Sequence, residues 1–330
     1  MIYNYSGDIF LKESTRLGGK KISGPKILAV CNQKGGVGKS FTSVQIASIL
    51  ASKFGKKVLL IDADYQANAS SILGVKNSAR KSKSTLADGL IPYASSKRGR
   101  GSRYRGPGPL EKISLTRWEK LFCLAGSLKL NDFNSCPYNP YALAGWLEPE
   151  KNFSDFDYII VDTHPDVSHT FTNVMTLAQY YIIPVFAEAD AFDGLQIMFD
   201  SIDHVQTNFN STLHLLGVVV TKFDKNNATH RKFSKALKEL HDDKNIRILG
   251  YCRTSATAQS SADSRTPLIH LKGKSNIKLL DDYLELTEIL VKELRVRRGR
   301  TPETPFLEEH YADKLAHDLS ETDGDPYHCE

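Results

Sequence analysis

Short, continuous apolar runs alternate along the chain with segments of helical periodicity. A strand that is buried on both faces is apolar throughout, so such runs between turn-forming residues indicate parallel strands. We predict strands at 27–31, 58–61, 158–161, 181–185 and 215–220, with two more at 121–125 and 246–250. Apolar residues at helical spacing predict intervening helices at 39–54, 170–179, 195–209 and 228–241.

This alternation predicts the α/β fold class, a doubly wound, mostly parallel sheet with helices on both faces. The segment 27–61 has the length of a βαβ unit, which requires a right-handed crossover. Ligands of such sheets bind at the carboxyl ends of the strands. Asp62 and Asp162 directly follow two of the predicted strands, so we expect them to belong to a ligand site.

The first strand leads into a glycine-rich loop, residues 32–40, with the sequence NQKGGVGKS. Its glycines let successive backbone amides point at phosphate oxygens, and the following helix adds the positive end of its dipole. Lys39 and Ser40 have the residue types that a Walker A loop uses for phosphates and Mg²⁺. Gln33 replaces the first glycine of the ordinary pattern, and an extra lysine stands at position 34.

Together, NQKGGVGKS and the later VLLIDADYQANAS resemble the ParA/MinD superfamily of deviant Walker A ATPases, and its ParA branch in particular. FDYIIVDTHP resembles the Walker B strand of that family, while YYIIPVFAEADAFDGL and LGVVVTKFDK resemble later segments. The likeness covers residues 26–294. It implies the P-loop NTPase fold, the cofactors ATP and Mg²⁺, and slow, partner-stimulated hydrolysis of ATP to ADP and phosphate.

The resemblance also implies roles for matching residues. Nucleotide binding is expected from Lys34, Gly35, Gly36, Val37, Gly38, Lys39 and Ser40. The expected catalytic residues are Lys34, Lys39 and Asp64. Lys34 would reach across a homodimer with ATP sandwiched between its subunits, and Asp64 would position the attacking water. Mg²⁺ is expected at Ser40, Asp62 and Asp162, although an aspartate at a strand end can also be a cap or a solvated charge.

Several positions differ from the family pattern. Tyr65 stands where a proline usually follows the second aspartate, and His164, Pro165 and Asp166 replace Pro-Pro-Ser. We interpret His164 as a loop histidine with ordinary hydrogen bonds rather than as a metal ligand or base. Arg253 resembles an arginine at the end of a late strand, but Ala256 replaces a second basic residue. These differences leave the hydrolysis rate and a DNA contact at that loop open.

The charge is unevenly distributed. The net charge is +5, yet residues 301–330 hold nine acids against Lys314 alone. Basic residues concentrate in two clusters: Lys97, Arg98, Arg100, Arg103 and Arg105, and Arg295, Arg297, Arg298 and Arg300. Such clusters attract polyanions, although each can also be a solvated loop or helix end. The second cluster follows a predicted final helix with an apolar stripe of Leu284, Ile289, Leu290 and Leu294, and it is our first choice for a DNA-binding surface.

We divide the chain into an N-terminal extension, residues 1–25, an ATPase domain, residues 26–300, and an acidic tail, residues 301–330, expected to be disordered. Within the domain, residues 76–109 are basic and poor in large aliphatic side chains, so we expect a flexible insertion. Five widely spaced cysteines without a CxxC pair indicate neither a disulfide framework nor a zinc site, and favour a reducing cytoplasm.

The resemblance implies a partition ATPase for a plasmid or chromosome, which would bind nonspecific DNA as an ATP dimer and be stimulated by a ParB-type adaptor. It would be cytoplasmic and nucleoid-associated. A ParA-like positioner of a protein cargo shares nearly all the residues named and stays open. A MinD-like membrane ATPase fits less well because the acidic tail stands where a basic amphipathic helix is needed, so we expect no membrane partner.

Overall fold

A computed structural model describes residues 16–17, 20–21, 24–96, 106–188, 191–244, 246–272 and 277–296. The strands within these ranges are β1 (Arg16–Leu17), β2 (Lys20–Lys21), β3 (Lys26–Val30), β4 (Val58–Ala63), β5 (Ser114–Leu115), β6 (Leu121–Leu124), β7 (Tyr158–Thr163), β8 (Tyr180–Phe186), β9 (His214–Phe223) and β10 (Ile248–Arg253). All seven predicted strands are thereby confirmed, with boundaries shifted by a few residues.

Eight strands form one sheet in the order β10-β9-β8-β3-β7-β4-β6-β5. Neighbouring strands are parallel throughout, except that the short edge strand β5 pairs antiparallel with β6. The strands β1 and β2 form a separate antiparallel pair. The predicted fold class, a doubly wound and mostly parallel sheet, is confirmed.

Helices cover both faces of this sheet. They are α1 (Lys39–Ser52), α2 (Asn68–Ile72), α3 (Lys76–Lys81), α4 (Leu86–Ser95), α5 (Ala142–Leu147), α6 (Pro149–Asn152), α7 (His169–Leu177), α8 (Ala191–Asn208), α9 (Ala228–Lys244), α10 (Ala256–Asp263) and α11 (Lys278–Val296). Short 3₁₀ helices lie at Pro109–Lys112, Leu128–Ser135 and Leu268–His270.

The continuous apolar strands follow from burial on two sides. In β3, Ile27 and Ala29 belong to the core beneath α4, α5, α7 and α8, whereas Leu28 and Val30 belong to the core beneath α1, α2 and α11. Successive side chains of a strand point to opposite faces, so both sets must be apolar when helices cover both faces.

The structure differs from the sequence prediction in the segment 76–109. Residues 76–96 form α3 and α4 rather than a flexible insertion, and Leu86, Leu90 and Tyr93 are buried. Thr85 caps α4 in a capping box with Asp88. The prediction missed α4 because the segment as a whole contains few aliphatic residues. The few apolar residues of α4 are buried against α5 and the 3₁₀ helix at 128–135. The basic cluster at 97–105 lies outside the described residues.

The final helix was predicted from an apolar stripe, and α11 confirms it. Leu290 and Leu294 are buried, and Leu284 and Ile289 pack partly buried against the same core. Neither α11 nor any other helix in the described ranges combines the length and the apolar character needed to cross a membrane. The predicted extension 1–25 is described only in part, and the tail 301–330 lies outside the described residues.

Candidate nucleotide-binding site

The carboxyl ends of β3, β7 and β4 meet at the centre of the sheet. In the strand register, Val30 lies beside Asp162, and Asp162 lies beside Asp62. The glycine-rich loop runs from the end of β3 into α1, so it passes directly over these two aspartates. The topology therefore brings Asp162 to the loop, although more than a hundred residues separate them in the sequence, and places it beside Asp62.

Positive backbone φ angles shape the loop. Gly36 and Gly38 have φ values of 74° and 86°, a region in which a side chain would be strained. The loop is tied to its surroundings at both ends. Asn32 accepts a hydrogen bond from the Lys34 amide at 2.8 Å and donates to Pro184 O at 2.7 Å. Thr221 Oγ1 donates to Val37 O at 2.7 Å.

Lys39, the Walker A lysine, is buried within the loop and 6% exposed. Its Nζ donates to Lys34 O at 2.9 Å, so the ammonium group lies across the concave side of the loop. Burial lowers the pKa of Lys39, and the nearby negative charges of Asp162 and Asp64 oppose that shift. A phosphate placed in the loop would supply the anion that this buried cation needs.

Lys34, the extra lysine of the deviant pattern, forms an ion pair with Glu188 just beyond β8. The side chains are 27% and 44% exposed. The pair therefore lies at the rim of the site, and within this single chain the lysine is engaged by its own subunit. The expected contact of Lys34 with a partner subunit remains a prediction.

Asp162 is fully buried at the end of β7, next to the start of α1. Its Oδ1 accepts a hydrogen bond from Ser43 Oγ at 3.1 Å, while its Oδ2 has no hydrogen-bond partner of good geometry among the described residues. Burial and then the neighbouring Asp62 raise its pKa well above the usual range, and the Ser40 hydroxyl lowers it. Such an orphaned carboxylate oxygen beside a hydroxyl fits Mg²⁺, which commonly takes one or two protein oxygens and completes its shell with phosphates and water.

Asp62 is also fully buried, but its oxygens are occupied. Oδ2 accepts from the Ser70 amide at 2.7 Å and from Ser70 Oγ at 2.6 Å, and Oδ1 accepts from the Asp64 amide at 3.3 Å. Burial raises its pKa to about 6, although the hydrogen bonds from Ser70 counteract this. In this arrangement Asp62 anchors the segment that carries Asp64, and its role at Mg²⁺ stays a prediction.

Asp64 lies one residue beyond β4 and is 4% exposed. Its Oδ1 accepts a hydrogen bond from the Gln66 amide at 2.8 Å and lies 3.9 Å from His164 Nε2. Burial raises the pKa of Asp64, whereas His164 and Lys39 lower it. A carboxylate that is nearly dehydrated and close to the phosphate loop is suited to orienting a water molecule.

The candidate DNA-binding residues are described only in part. Arg295 is exposed at the end of α11, whereas Arg297, Arg298 and Arg300 lie outside the described residues. Arg253 is engaged in a bidentate ion pair, because its Nε and Nη2 lie 2.7 and 2.5 Å from the two carboxylate oxygens of Asp282 on α11. Arg253 is therefore compensated within the chain.

Sequence reasoning missed several residues of this site. Ser70 binds Asp62, Ser43 binds Asp162 and Glu188 pairs with Lys34. Lys222, in the segment LGVVVTKFDK, donates to Gly36 O at 2.8 Å. Ser43 could have been found, because it lies one helical turn after Lys39 on the same face of α1. Ser70 is only eight positions from Asp62, whereas Glu188 and Lys222 reach the loop from other strands.

Comparisons with known proteins agree with this geometry. The profile of the CobQ/CobB/MinD/ParA nucleotide binding domain matches residues 28–268, which is well over half of the chain. The chain belongs to this family. Within the CobQ/CobB/MinD/ParA family, its relatives include the chromosome partitioning protein ParA of Caulobacter vibrioides, with 29% identity over 66% of this chain and 78% of the relative.

The sporulation initiation inhibitor protein Soj of Bacillus subtilis is 32% identical over 60% of this chain and 73% of its own. A crystal structure of a putative plasmid partition protein of Borrelia burgdorferi, bound to AMPPNP, superposes with a TM-score of 0.64 and 26% identity over 82% of this chain and 99% of that one. The resemblance to the ParA branch that the motifs indicated is confirmed.

Proposed function

We propose that the chain is a ParA-type ATPase that partitions plasmid or chromosomal DNA. The observation that carries this proposal is the phosphate-binding loop with its buried Lys39 beside the orphaned oxygen of Asp162. A buried cation and a buried carboxylate with one unpaired oxygen are costly, and MgATP would compensate both. The names of the ParA and Soj relatives support the partition role.

The backbone amides of residues 35–40 would hold the phosphates, and Lys39 would exchange its bond to Lys34 O for β- and γ-phosphate oxygens. Ser40 and Asp162 would hold Mg²⁺, with Asp62 supporting them. When bound, Mg²⁺ neutralises charge that develops on the phosphate oxygens. Asp64 would orient the attacking water, and Lys34 of the opposite subunit would stabilise the charge on the phosphoryl group in trans.

Binding to nonspecific DNA would couple this ATPase to cargo. Arg295, with Arg297, Arg298 and Arg300, would contact backbone phosphates of the nucleoid, and a ParB-type adaptor on the cargo DNA would stimulate hydrolysis and release. Contacts of this kind carry no sequence information, and their affinity falls steeply with salt. The protein would then act in the cytoplasm, associated with the nucleoid.

The test measures binding to a nonspecific duplex with ADP, with ATP, and with ATP after Lys34→Ala. We expect retention with ATP alone and its loss in the variant, because DNA binding by a dimer requires the lysine that joins the subunits. Lys53→Ala is the matched control, since Lys53 pairs with Glu288 away from the loop. DNA binding that ignores the nucleotide, or survives Lys34→Ala, would contradict the proposal.

A further inference from the structure

Two aromatic side chains stack at the edge of the candidate site. The rings of Tyr65 and His164 have centroids 4.0 Å apart and planes inclined by 27°. β4 and β7 are parallel neighbours whose last register pair is Ala63 with Thr163. Tyr65 and His164 lie just beyond that pair, so the stack joins the two chain segments at the point where the strand hydrogen bonds stop.

The imidazole of His164 lies between two carboxylates. Its Nε2 is 3.9 Å from Asp64 Oδ1, and its Nδ1 is 3.1 Å from Asp166 Oδ1. The side chains of His164 and Asp64 are 14% and 6% exposed, so both groups are largely shielded from solvent. The Gln66 amide and the imidazole thus both approach the same oxygen, Asp64 Oδ1.

The backbone around Asp64 turns sharply before α2 begins. Ala67 has a φ of 56°, and its amide donates to Asp64 O at 3.0 Å. This short turn fixes the chain path, and the hydrogen bond from the Gln66 amide to Oδ1 restrains one oxygen of the carboxylate. The Tyr65 ring follows Asp64 directly and packs on His164, so the stack restricts the position of the turn relative to β7.

We propose that Tyr65 and His164 are positioning residues that hold Asp64 in the orientation needed for ATP hydrolysis. This inference rests on the role given to Asp64 in the proposed function. Both residues stand at positions that differ from the family pattern, and the structure shows that the two differences contact each other. The residues at positions 65 and 164 therefore form one stacked pair at the ends of two adjacent strands, and a single role can explain why both differ from the family pattern.

The test compares Tyr65→Ala, His164→Ala and the double variant. Misplacing a reacting group by about 1 Å can cost on the order of 100-fold in rate, so we expect kcat for ATP to fall by about 10- to 100-fold in each single variant. The affinity for AMPPNP is expected to stay within about twofold, since neither ring belongs to the phosphate loop. The double variant should be about as slow as the slower single variant, because both substitutions remove the same stack.

Two further variants separate positioning from general damage. Tyr65→Phe keeps the ring and is expected to restore most of the rate lost in Tyr65→Ala. His270→Ala removes a comparable stack, with Trp118 at a centroid distance of 5.2 Å, beside Ser52 at the far end of α1. His270→Ala should leave kcat unchanged.

A parallel measurement on Asp64→Asn distinguishes the two levels of the argument. If Asp64→Asn abolishes hydrolysis while Tyr65→Ala and His164→Ala hydrolyse ATP normally, the positioning role is wrong and the proposed function stands. If Asp64→Asn hydrolyses ATP at the parental rate, the role assigned to Asp64 is wrong and the inference about the stack falls with it. Multiplicative losses in the double variant would also overturn the inference, since they mean that the two rings act independently.

Discussion

The ion pair between Lys34 and Glu188 offers a direct test of the proposed dimer. If Lys34 serves the nucleotide of a partner subunit, it must first leave the Glu188 carboxylate of its own chain. Glu188→Gln removes the negative charge and keeps the size of the side chain. We therefore expect this variant to dimerise more tightly when loaded with AMPPNP.

The structure sets the size of the effect. The two side chains are 27% and 44% exposed, so screening by solvent limits the pair to roughly 0.5–1 kcal/mol. A symmetric dimer breaks two such pairs, which adds to roughly 1–2 kcal/mol. Because about 1.4 kcal/mol corresponds to a tenfold change in an equilibrium constant, the dimer dissociation constant should fall by about 5- to 30-fold.

Sedimentation velocity of the AMPPNP-loaded protein over a concentration series measures this constant. Glu288→Gln is the matched control, because Glu288 pairs with Lys53 at 2.8 Å, away from the loop, and the substitution changes the net charge equally. The difference between the two variants should shrink as salt rises, since screening weakens an exposed pair. An unchanged or weaker dimer in Glu188→Gln would refute the idea that the intramolecular pair competes with assembly.

Three further predictions concern stability and the support of the site. Gly126→Ala places a Cβ 2.5 Å from Asp64 O. The substitution should lower the free energy of unfolding in urea by about 1–3 kcal/mol and slow ATP hydrolysis. Parental stability together with a parental rate would contradict this close approach. Burial raises the pKa of Asp62 from 3.8 to about 6, so the folded protein holds this proton more tightly than the unfolded chain does. Protonation of Asp62 therefore stabilises the fold at low pH, and this stabilisation is lost as the pH rises through that interval. Thermal midpoints of the nucleotide-free protein between pH 4 and 7 should therefore depend less on pH in Asp62→Asn, and an identical pH dependence would count against the raised pKa. Thr85→Ala removes the cap of α4 and should cost about 1 kcal/mol of unfolding free energy, while no loss would mean that α4 does not depend on its cap.

The local pattern of the sequence was sufficient for the seven longer strands, for five of the eleven helices in the described part of the chain and for the phosphate-binding loop. A strand buried on both faces must be apolar along its length, and a loop with two residues at positive φ needs glycine, so both leave a mark within a few consecutive residues. The positions of Lys39, Ser40 and Asp162 followed from that pattern and from the family resemblance. The same reasoning failed for 76–96, where α3 and α4 form although the segment has few large apolar residues, because those few are buried against other elements.

The tertiary structure alone decided which groups engage the predicted site residues. Glu188 lies 154 positions from Lys34, and the Tyr65 and His164 rings meet across two strands that are distant in sequence. A side-chain contact of this kind depends on strand order and register, and neither is recorded in the periodicity of any one segment. The phosphate loop can therefore be identified from its local sequence, while the order of the parallel strands brings Glu188 to Lys34 and His164 to the side of Asp64.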